Sequence, residues 1–317
     1  MVGKARRPRP LCRTAAVHRL RPVILLTGAT GSIGSRILPR LLDEGHQVRC
    51  LVREPRRLGA HRVDVQITMG DLRELRDPFM LRQAMRGVDT VIHLAASIRD
   101  QPPYRVEELN GLATVRLLEA AERAGVGRFV FFSALNASAV QRTRFFRAKW
   151  VAEQAVAESD LDSTIFRPSI VFDHSDPWIT LLRRFSFLPA IPISGNGKSR
   201  YQPVWADDVA RAVEHSLRED GPGDHLYELA GPATMTYAEM SELVGLLAGR
   251  PRPVIRIPLQ LVHLGLSAIH RLVGENAFAT WQEAELMRVP MVSARGTEDL
   301  RKLGVEPRSM ADVLSQS

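Results

Sequence analysis

The fold is decided by the stretch "VILLTGATGSIGSRILPRLLDEG", residues 23–45. Its first five residues form a continuous apolar run, which is typical of a strand covered on both faces of a parallel sheet. From Ile33 onward apolar residues recur at helical spacing, and Gly45 is placed to end the helix. The stretch therefore predicts a strand, a glycine turn and a helix in that order.

The turn carries Gly28, Gly31 and Gly34 in the spacing G-x-x-G-x-x-G. Glycines between a buried strand and a helix allow a tight turn and close backbone approach, and the first amides of the helix then face an anion. We predict that this loop holds the diphosphate of a dinucleotide; its members are Gly28, Thr30, Gly31, Ser32, Ile33 and Gly34. A glycine-rich turn without a ligand is the alternative.

The alternation of strand and helix patterns continues to residue 172. Apolar strand patterns occupy 46–53, 65–72, 88–97, 128–134 and 163–172, and helical patterns occupy 78–86, 108–125 and 145–159. Such alternation predicts an α/β fold, a doubly wound parallel-sheet Rossmann fold. A further helix is expected within 204–220 and a strand at 225–231. The chain beyond is mostly helical and is expected to form a smaller lobe over the sheet's carboxyl edge.

These patterns divide the chain into three parts. Residues 1–21 are expected to be a disordered basic head. Residues 22–172 and 203–231 would form the dinucleotide-binding domain, and residues 173–202 and 232–317 the smaller C-terminal lobe.

The positive charge of the chain is concentrated in its head. The 317 residues carry a net charge of +8, and residues 1–22 contain seven Lys and Arg and no acid, so the remainder carries +1. A nearly neutral body argues against a nucleic acid partner. Two cysteines, Cys12 and Cys50, indicate neither a disulfide framework nor a metal site. We expect a cytoplasmic protein, and peripheral contact with a membrane or a protein complex stays open.

The end of the second strand selects between the two pyridine dinucleotides. An acid there would accept hydrogen bonds from the ribose of NAD(H), but this chain has Arg53, followed by Arg56 and Arg57. Guanidinium groups suit a 2′-phosphate. We therefore prefer NADP(H) as the cofactor and keep NAD(H) as the alternative, because exposed arginines are common.

Seven short motifs together carry a family resemblance. They are "TGATGSIG" (27–34), "GDL" (70–72), "HLAAS" (93–97), "FFSAL" (131–135), "FRAKW" (146–150), "RPSIVF" (167–172) and "QPVWADDVARAV" (202–213). The chain resembles the atypical or extended members of the short-chain dehydrogenase/reductase superfamily over most of residues 23–235. Within it, the chain is similar to the branch of the nucleotide-binding accessory subunit of respiratory complex I. The resemblance implies NADP(H) binding, in some members without demonstrated turnover.

The resemblance also implies roles for single residues. Ser133 and Lys149 match the family's catalytic serine and lysine, and Lys149 would also hold the nicotinamide ribose. The other implied cofactor contacts are Asp71 and Leu72 at the adenine, Ala95, Ala96 and Ser97 beneath the ribose, and Pro168, Ser169 and Ile170 beside the nicotinamide. Asn110 falls where the family often has an asparagine.

Phe145 departs from the family pattern. The family places a tyrosine four residues before the lysine, on the same helix face, and its phenol transfers the proton that accompanies the hydride. Phe145 cannot transfer a proton. Another acid could substitute, the candidates being Tyr104, Asp173, His174 and Tyr201; water or the substrate could supply the proton; or only binding remains. His93, within "VIHLAA", is expected to be a core histidine with satisfied hydrogen bonds rather than a base.

Three functions follow from these residues. The first is an NAD(P)H-dependent oxidoreductase acting on a small or lipid-like carbonyl or quinone, covered by an apolar loop at 178–193. The alternative is a non-catalytic NADP(H)-binding redox sensor or a respiratory-complex accessory or assembly protein. A sugar-nucleotide epimerase or dehydratase ranks last, since that chemistry relies on the absent tyrosine. The apolar segment 257–274 is interpreted as a core or lid helix in preference to a membrane or partner contact.

Overall fold

The computed structural model describes residues 22–72, 78–218, 225–258 and 285–316. The basic head 1–21 lies outside the described residues. So does most of the apolar segment 257–274, so the expectations for these two segments stay predictions.

The described residues contain thirteen strands and nine α-helices. The strands are β1 Val23–Thr27, β2 Gln47–Val52, β3 Gln66–Met69, β4 Val88–His93, β5 Arg128–Phe132, β6 Asp162–Pro168, β7 Val171–Phe172, β8 Ile191–Ser194, β9 Arg200–Tyr201, β10 Val204–Trp205, β11 Leu226–Leu229, β12 Met235–Thr236 and β13 Val254–Ile257. The helices are α1 Gly34–Asp43, α2 Pro78–Met85, α3 Ala113–Ala124, α4 Arg144–Ala157, α5 Pro177–Phe185, α6 Ala206–Ser216, α7 Tyr237–Leu247, α8 Glu298–Lys302 and α9 Met310–Leu314.

Seven strands form one sheet in the order β11-β6-β5-β4-β1-β2-β3. Every neighbouring pair in this sheet is parallel. The strand order reverses between β1 and β4, and in open α/β sheets the crevice at such a reversal is where ligands bind. The doubly wound Rossmann fold predicted from the alternating pattern is confirmed.

Helices cover both faces of the sheet, which explains the continuous apolar runs of its strands. One face packs on α1 and α6 through residues such as Ile37, Leu41 and Val213. The other face packs on α2, α3 and α4 through residues such as Leu117 and Val156. The fold is therefore held by two apolar layers with the sheet between them.

Two sequence expectations differ from the structure. The strand expected over 163–172 is interrupted: β6 ends at Pro168, and β7 then pairs with β10 instead of continuing in the main sheet. The loop expected at 178–193 contains α5 and β8. Asp176 caps α5 by accepting from the Trp178 amide, and Pro177 is its first residue, so this start signal was present in the sequence.

A third apolar cluster lies beyond the main sheet. It joins Ile179 and Leu182 of α5, Ile191 of β8, Met240 of α7 and Val313 of α9. It also includes Tyr201 and Phe172, so the segment after β6 packs with the C-terminal helices. The domain boundaries expected from the sequence stay a prediction. None of the helices among the described residues combines the length and the apolar character that spanning a bilayer requires.

Candidate functional site

The glycine turn packs directly against the end of β4. Gly28 has φ 76°, and a Cβ atom there would lie 2.7 Å from the amide nitrogen of Ala95. A Cβ atom on Gly34 would lie 2.1 Å from the carbonyl oxygen of Gly28. A side chain at Gly28 would force the turn away from the end of β4, and one at Gly34 would force the start of α1 away from the turn, so the two glycines hold the turn in this shape.

The turn presents unused backbone donors at the start of α1. Its internal hydrogen bonds run from the Gly31 amide to the Gly28 carbonyl and from the Ser35 amide to the Gly31 carbonyl, both 3.0 Å. The amides of Ser32 and Ile33, which precede α1, donate to no backbone carbonyl in a turn or loop of the described residues. Two such donors at a helix N-terminus fit a phosphate group.

A cleft of about 300 Å³ opens beside this turn at the carboxyl ends of β1, β2, β3 and β4. The structure brings many of the predicted cofactor residues together in its wall: Gly28, Thr30, Gly31, Arg53, Asp71, Leu72, Ala95, Ala96 and Ser97. Ser32, Ile33 and Gly34 continue the turn into α1. The cleft therefore fits an elongated ligand whose phosphates lie at the turn.

The wall at the end of β2 is basic. Arg53 and Arg57 both line the cleft, whereas Arg56 does not. The Arg53 side chain is exposed and donates to Gln101 Oε1 at 3.4 Å. Asp71 on the neighbouring strand end is the acid in this wall. Two guanidinium groups against one carboxylate favour an anionic group at this end of the ligand.

Several wall residues were missed in the sequence. Gln101 and Leu109 line the cleft. Gln101 lies on irregular chain after β4, and Leu109 lies in the helical turn Glu108–Leu112 before α3, where the helical pattern does not mark it as a wall residue. Asn110 is buried and fixes this wall: its Nδ2 donates to the Ser97 carbonyl at 2.7 Å, and its Oδ1 accepts from the Ser97 amide at 3.1 Å. An asparagine at this position thus holds the chain after β4 in place.

Lys149 lies outside the cleft wall. Its side chain is 4% exposed, and Nζ donates to the Phe132 carbonyl oxygen at 2.7 Å. Nζ also lies 5.0 Å from the centroid of the Phe131 ring. Burial lowers the pKa of Lys149 to about 7, because the charged ammonium loses its hydration. The neutral amine is therefore far more accessible near physiological pH than it is in an exposed lysine.

Ser133 and Phe145 precede this lysine in the chain, in the order of the family motif. The Ser133 hydroxyl is buried and has no hydrogen-bond partner in the described part of the chain. The Phe145 ring packs against a small apolar cluster with Ala134, and its centroid lies 5.3 Å from that of Phe146. Phe145, which the motif predicts to stand at the family's proton-donor position, is therefore an apolar ring in an apolar setting.

The stretch after β6 does not reach the cleft wall. Ser169 is buried, and its Oγ donates to the Met291 carbonyl at 2.7 Å and accepts from the Gln202 amide at 3.2 Å. These contacts tie the end of β6 to the segment after residue 285. The nicotinamide contacts expected for Pro168, Ser169 and Ile170 stay a prediction.

Two of the four substitute acids are already engaged. The Tyr201 hydroxyl donates to the Met287 carbonyl at 2.5 Å, and burial raises the pKa of this phenol. The buried Asp173 carboxylate accepts two hydrogen bonds from Arg36, each 2.9 Å. Neither group is placed to donate a proton to a substrate.

His93 is a core histidine, as expected. Its Nδ1 lies 2.7 Å from the Thr27 hydroxyl and its Nε2 lies 3.0 Å from the Thr114 hydroxyl. Burial lowers the pKa of His93 to about 3, so the ring is neutral at physiological pH.

The glycine turn is also tied to α5. The Ser32 hydroxyl donates to Asp176 Oδ2 at 2.7 Å, and the other carboxylate oxygen of Asp176 caps α5. Burial raises the pKa of Asp176. No sequence signal marks this contact between residues 144 positions apart.

Comparison with known proteins points the same way as this geometry. A family model described as NAD(P)H-binding matches residues 28–219. NADH dehydrogenase (ubiquinone) 1 alpha subcomplex subunit 9, mitochondrial, of Arabidopsis thaliana is 31% identical over 239 residues, which are 70% of this chain and 57% of that protein. Photosystem II assembly factor Ycf39 of Guillardia theta is 31% identical over 242 residues, which are 75% of this chain and 74% of that protein.

Solved structures share the fold. The NADPH-dependent quinone oxidoreductase QOR2 of Escherichia coli, complexed with NADPH, has a TM-score of 0.69 at 17% identity and covers 92% of this chain and 99% of its own. The UDP-glucose 4-epimerase of Thermus thermophilus in complex with NAD has a TM-score of 0.69 at 19% identity and covers 92% of this chain and 96% of its own. At these identities the likeness shows the fold alone.

Proposed function

We propose that this chain, which belongs to the NAD(P)H-binding family within the short-chain dehydrogenase/reductase superfamily, binds NADP(H) without efficient turnover and acts as an accessory or assembly protein of a larger redox complex. The observation that carries this proposal is Phe145. The family motif assigns the proton donor to this position, and the Phe145 ring packs on Ala134 and Phe146. General acid–base help is typically worth about 10²–10⁴-fold in rate, so its loss cripples a carbonyl reduction while leaving binding intact.

The relatives support the second half of the proposal. The Arabidopsis protein is a subunit of an NADH dehydrogenase, and the Guillardia protein is an assembly factor of photosystem II. Both are named for their place in an assembly. The chain spans 57% of the Arabidopsis subunit, so a shared role in such a complex is an inference from 239 aligned residues.

The residues of the cleft suggest how the dinucleotide is held. The amides of Ser32 and Ile33 would bind its diphosphate, and Arg53 and Arg57 would bind a 2′-phosphate on the adenosine ribose. The Lys149 amine would turn from the Phe132 carbonyl to the nicotinamide ribose. When bound, the nicotinamide supplies a hydride acceptor or donor. These contacts favour NADP(H) over NAD(H), because the arginines stand where a carboxylate would serve NAD(H).

An oxidoreductase acting on a small or lipid-like carbonyl or quinone is the second candidate. One observation favours it: the Ser133 hydroxyl is buried without a partner among the described residues and is free to donate to a substrate oxygen. In this case Ser133 would polarise the substrate, and the proton would come from water or from the substrate itself.

Restoring the phenol separates the two candidates. We expect wild type to show no efficient oxidation of NADPH with quinones or aldehydes. Phe145→Tyr should raise the rate of NADPH oxidation by about 10²-fold or more. Phe145→Leu is the matched control, since it changes the ring without adding a hydroxyl. Single-turnover absorbance at the NADPH band is the measurement. Turnover by wild type equal to that of Phe145→Tyr would establish the oxidoreductase instead.

A further inference from the structure

The last turns of α5 and α7 meet at one end of the third apolar cluster. The Arg250 amide donates to the Gly245 carbonyl at 2.9 Å and thereby closes α7. Arg252 Nε lies 3.4 Å from the Ser186 carbonyl just after α5. The Ile191 amide of β8 donates to the Pro253 carbonyl at 2.9 Å. Three chain segments thus form one continuous surface.

Large apolar side chains stand out from this surface. Phe187 is 66% exposed and Leu246 is 58% exposed, while Leu188 and Leu247 are also exposed. Single exposed apolar residues are ordinary, but a cluster of four on adjoining helix ends marks an interaction site. We call these four residues, together with Arg184, Arg250 and Arg252, the docking patch.

Arginines surround the apolar side chains. The guanidinium of Arg250 lies 4.0 Å from the centroid of the Phe187 ring. Among the described residues, Arg184, Arg250 and Arg252 form no ion pair. Residues 177–199 and 243–258, which build the patch, contain no Asp or Glu. The patch is therefore both apolar and positively charged.

Helix dipoles account for only part of this charge. Arg183 and Arg184 lie in the last turn of α5, where a cation stabilises the helix. Arg250 and Arg252 come after Gly249, beyond the end of α7, and a guanidinium there gains little from the helix carbonyls. Within the described part of the chain, no carboxylate forms an ion pair with either of them.

We propose that the docking patch binds the surface of a bilayer that contains anionic lipids. Phe187, Leu188, Leu246 and Leu247 would enter the boundary between headgroups and acyl chains, and the arginines would pair with lipid phosphates. The positive charge of the patch is complementary to anionic lipid headgroups. A nucleic acid would also attract the arginines, but its backbone offers no apolar surface to the exposed leucines. Docking extends the proposed function by placing the chain beside a membrane-bound assembly. The biological role of docking rests on that proposed function. It does not require bound nucleotide.

Vesicle co-sedimentation of the full chain tests the proposal. The probes are vesicles of phosphatidylcholine alone and vesicles with about one third phosphatidylglycerol, at low and at high salt. We expect binding to the anionic vesicles that weakens with salt. Arg250→Glu with Arg252→Glu should reduce this binding at least tenfold, since each basic residue near an anionic surface contributes about 1 kcal/mol. Phe187→Ser with Leu246→Ser should reduce binding to the anionic vesicles by a similar factor. Less of the remaining binding should persist at high salt.

A matched control lies elsewhere on the surface. Arg62→Glu with Val63→Ser alters an exposed basic and an exposed apolar residue before β3 and should leave vesicle binding unchanged. NADPH binding by all variants is measured in parallel and should match wild type, so a failure of docking is distinct from a failure of nucleotide binding. Vesicle binding that survives both patch variants assigns it to another surface, such as the basic head, and overturns the proposal. Binding to RNA or heparin without binding to vesicles also overturns it.

Discussion

Lys149 shows at the scale of a single residue how burial sets chemistry. The motif identifies the lysine, but it could not show that the amine is almost fully buried and donates to the Phe132 carbonyl. Burial lowers the pKa of Lys149 from 10.5 in the unfolded chain to about 7 in the fold. Between these two values the unfolded chain binds more protons, so stability rises with pH through that window.

Lys149→Met should abolish this part of the pH dependence. Below pH 7 the cost of burying the ammonium is fully present in wild type, and it is relieved as the amine loses its proton above pH 7. We expect the free energy of unfolding of wild type to rise by about 2 kcal/mol more than that of Lys149→Met between pH 7 and pH 9. Denaturant unfolding at the two pH values measures it.

The control for this prediction is Lys198→Met. Lys198 is exposed, so its replacement removes a positive charge without relieving burial. Equal pH slopes for wild type and Lys149→Met would show that the buried amine does not titrate in this window.

Arg53 carries the prediction of cofactor choice. Arg53→Asp should weaken NADPH binding by tenfold or more and leave NADH binding within about threefold, since a charge-assisted hydrogen bond is worth about 1.5–3 kcal/mol. Arg56→Asp is the matched control, because Arg56 is an exposed neighbour that does not line the cleft. Affinities are measured by fluorescence titration of the reduced nucleotides. Equal losses for both nucleotides in Arg53→Asp would contradict a contact with the 2′-phosphate.

At the scale of secondary-structure elements, periodicity was enough for the main sheet. The apolar run at 23–27 and the helical spacing after it predicted β1 and α1, and the same reasoning located β2, β4, β5 and α3. Beyond β6 periodicity still located α6 and β11, but it failed for the short strands that pair outside the main sheet. There the pairing partners, such as β7 with β10, are set by tertiary contacts that no local pattern records.

Contacts between distant elements were also beyond the sequence. The predicted cofactor residues of the β1 to β4 ends could be grouped because parallel strands end at one edge. The Ser32–Asp176 and Arg36–Asp173 contacts could not, since they join α1 and its turn to a segment more than 130 positions away. Asp173 is a candidate substitute acid by sequence, and its ion pair is the feature that only the fold reveals.

The Arg36–Asp173 pair should be a strong link between elements. Arg36→Met leaves the buried Asp173 carboxylate without its partner, and removing one member of a buried pair typically costs about 3–5 kcal/mol. Arg36 is itself 38% exposed, so we expect a loss of about 2 kcal/mol in the free energy of unfolding. Arg36→Met with Asp173→Asn should recover part of this loss.

The control has the same geometry without the burial. Arg301 also makes two hydrogen bonds to one carboxylate, that of Glu306, but both side chains are mostly exposed. Arg301→Met should lower the free energy of unfolding far less than Arg36→Met does, as measured by denaturant unfolding. Equal costs for the two arginine variants would show that Asp173 is not dependent on its partner.

At the scale of the whole molecule, charge and apolar surface are distributed unevenly. The chain carries +8, yet the body outside residues 1–22 carries only +1. Within that body arginines gather at the β2 end of the cleft and around Phe187. The nearly neutral composition of the body argued against a basic groove for nucleic acid, and the folded chain adds the positions of these two arginine groups.

Family membership, fold and cleft together make dinucleotide binding the central claim. Calorimetric titration of the folded chain with NADPH, NADP⁺, NADH and NAD⁺ tests it most directly. The account predicts saturable binding at one site, tighter for the two phosphorylated nucleotides, and loss of that binding in Gly31→Asp, which sets a carboxylate beside the diphosphate amides while a Cβ at Gly31 meets only the Gly28 carbonyl at 3.3 Å. Absence of binding heat with all four nucleotides, from protein that unfolds cooperatively on heating, would contradict it.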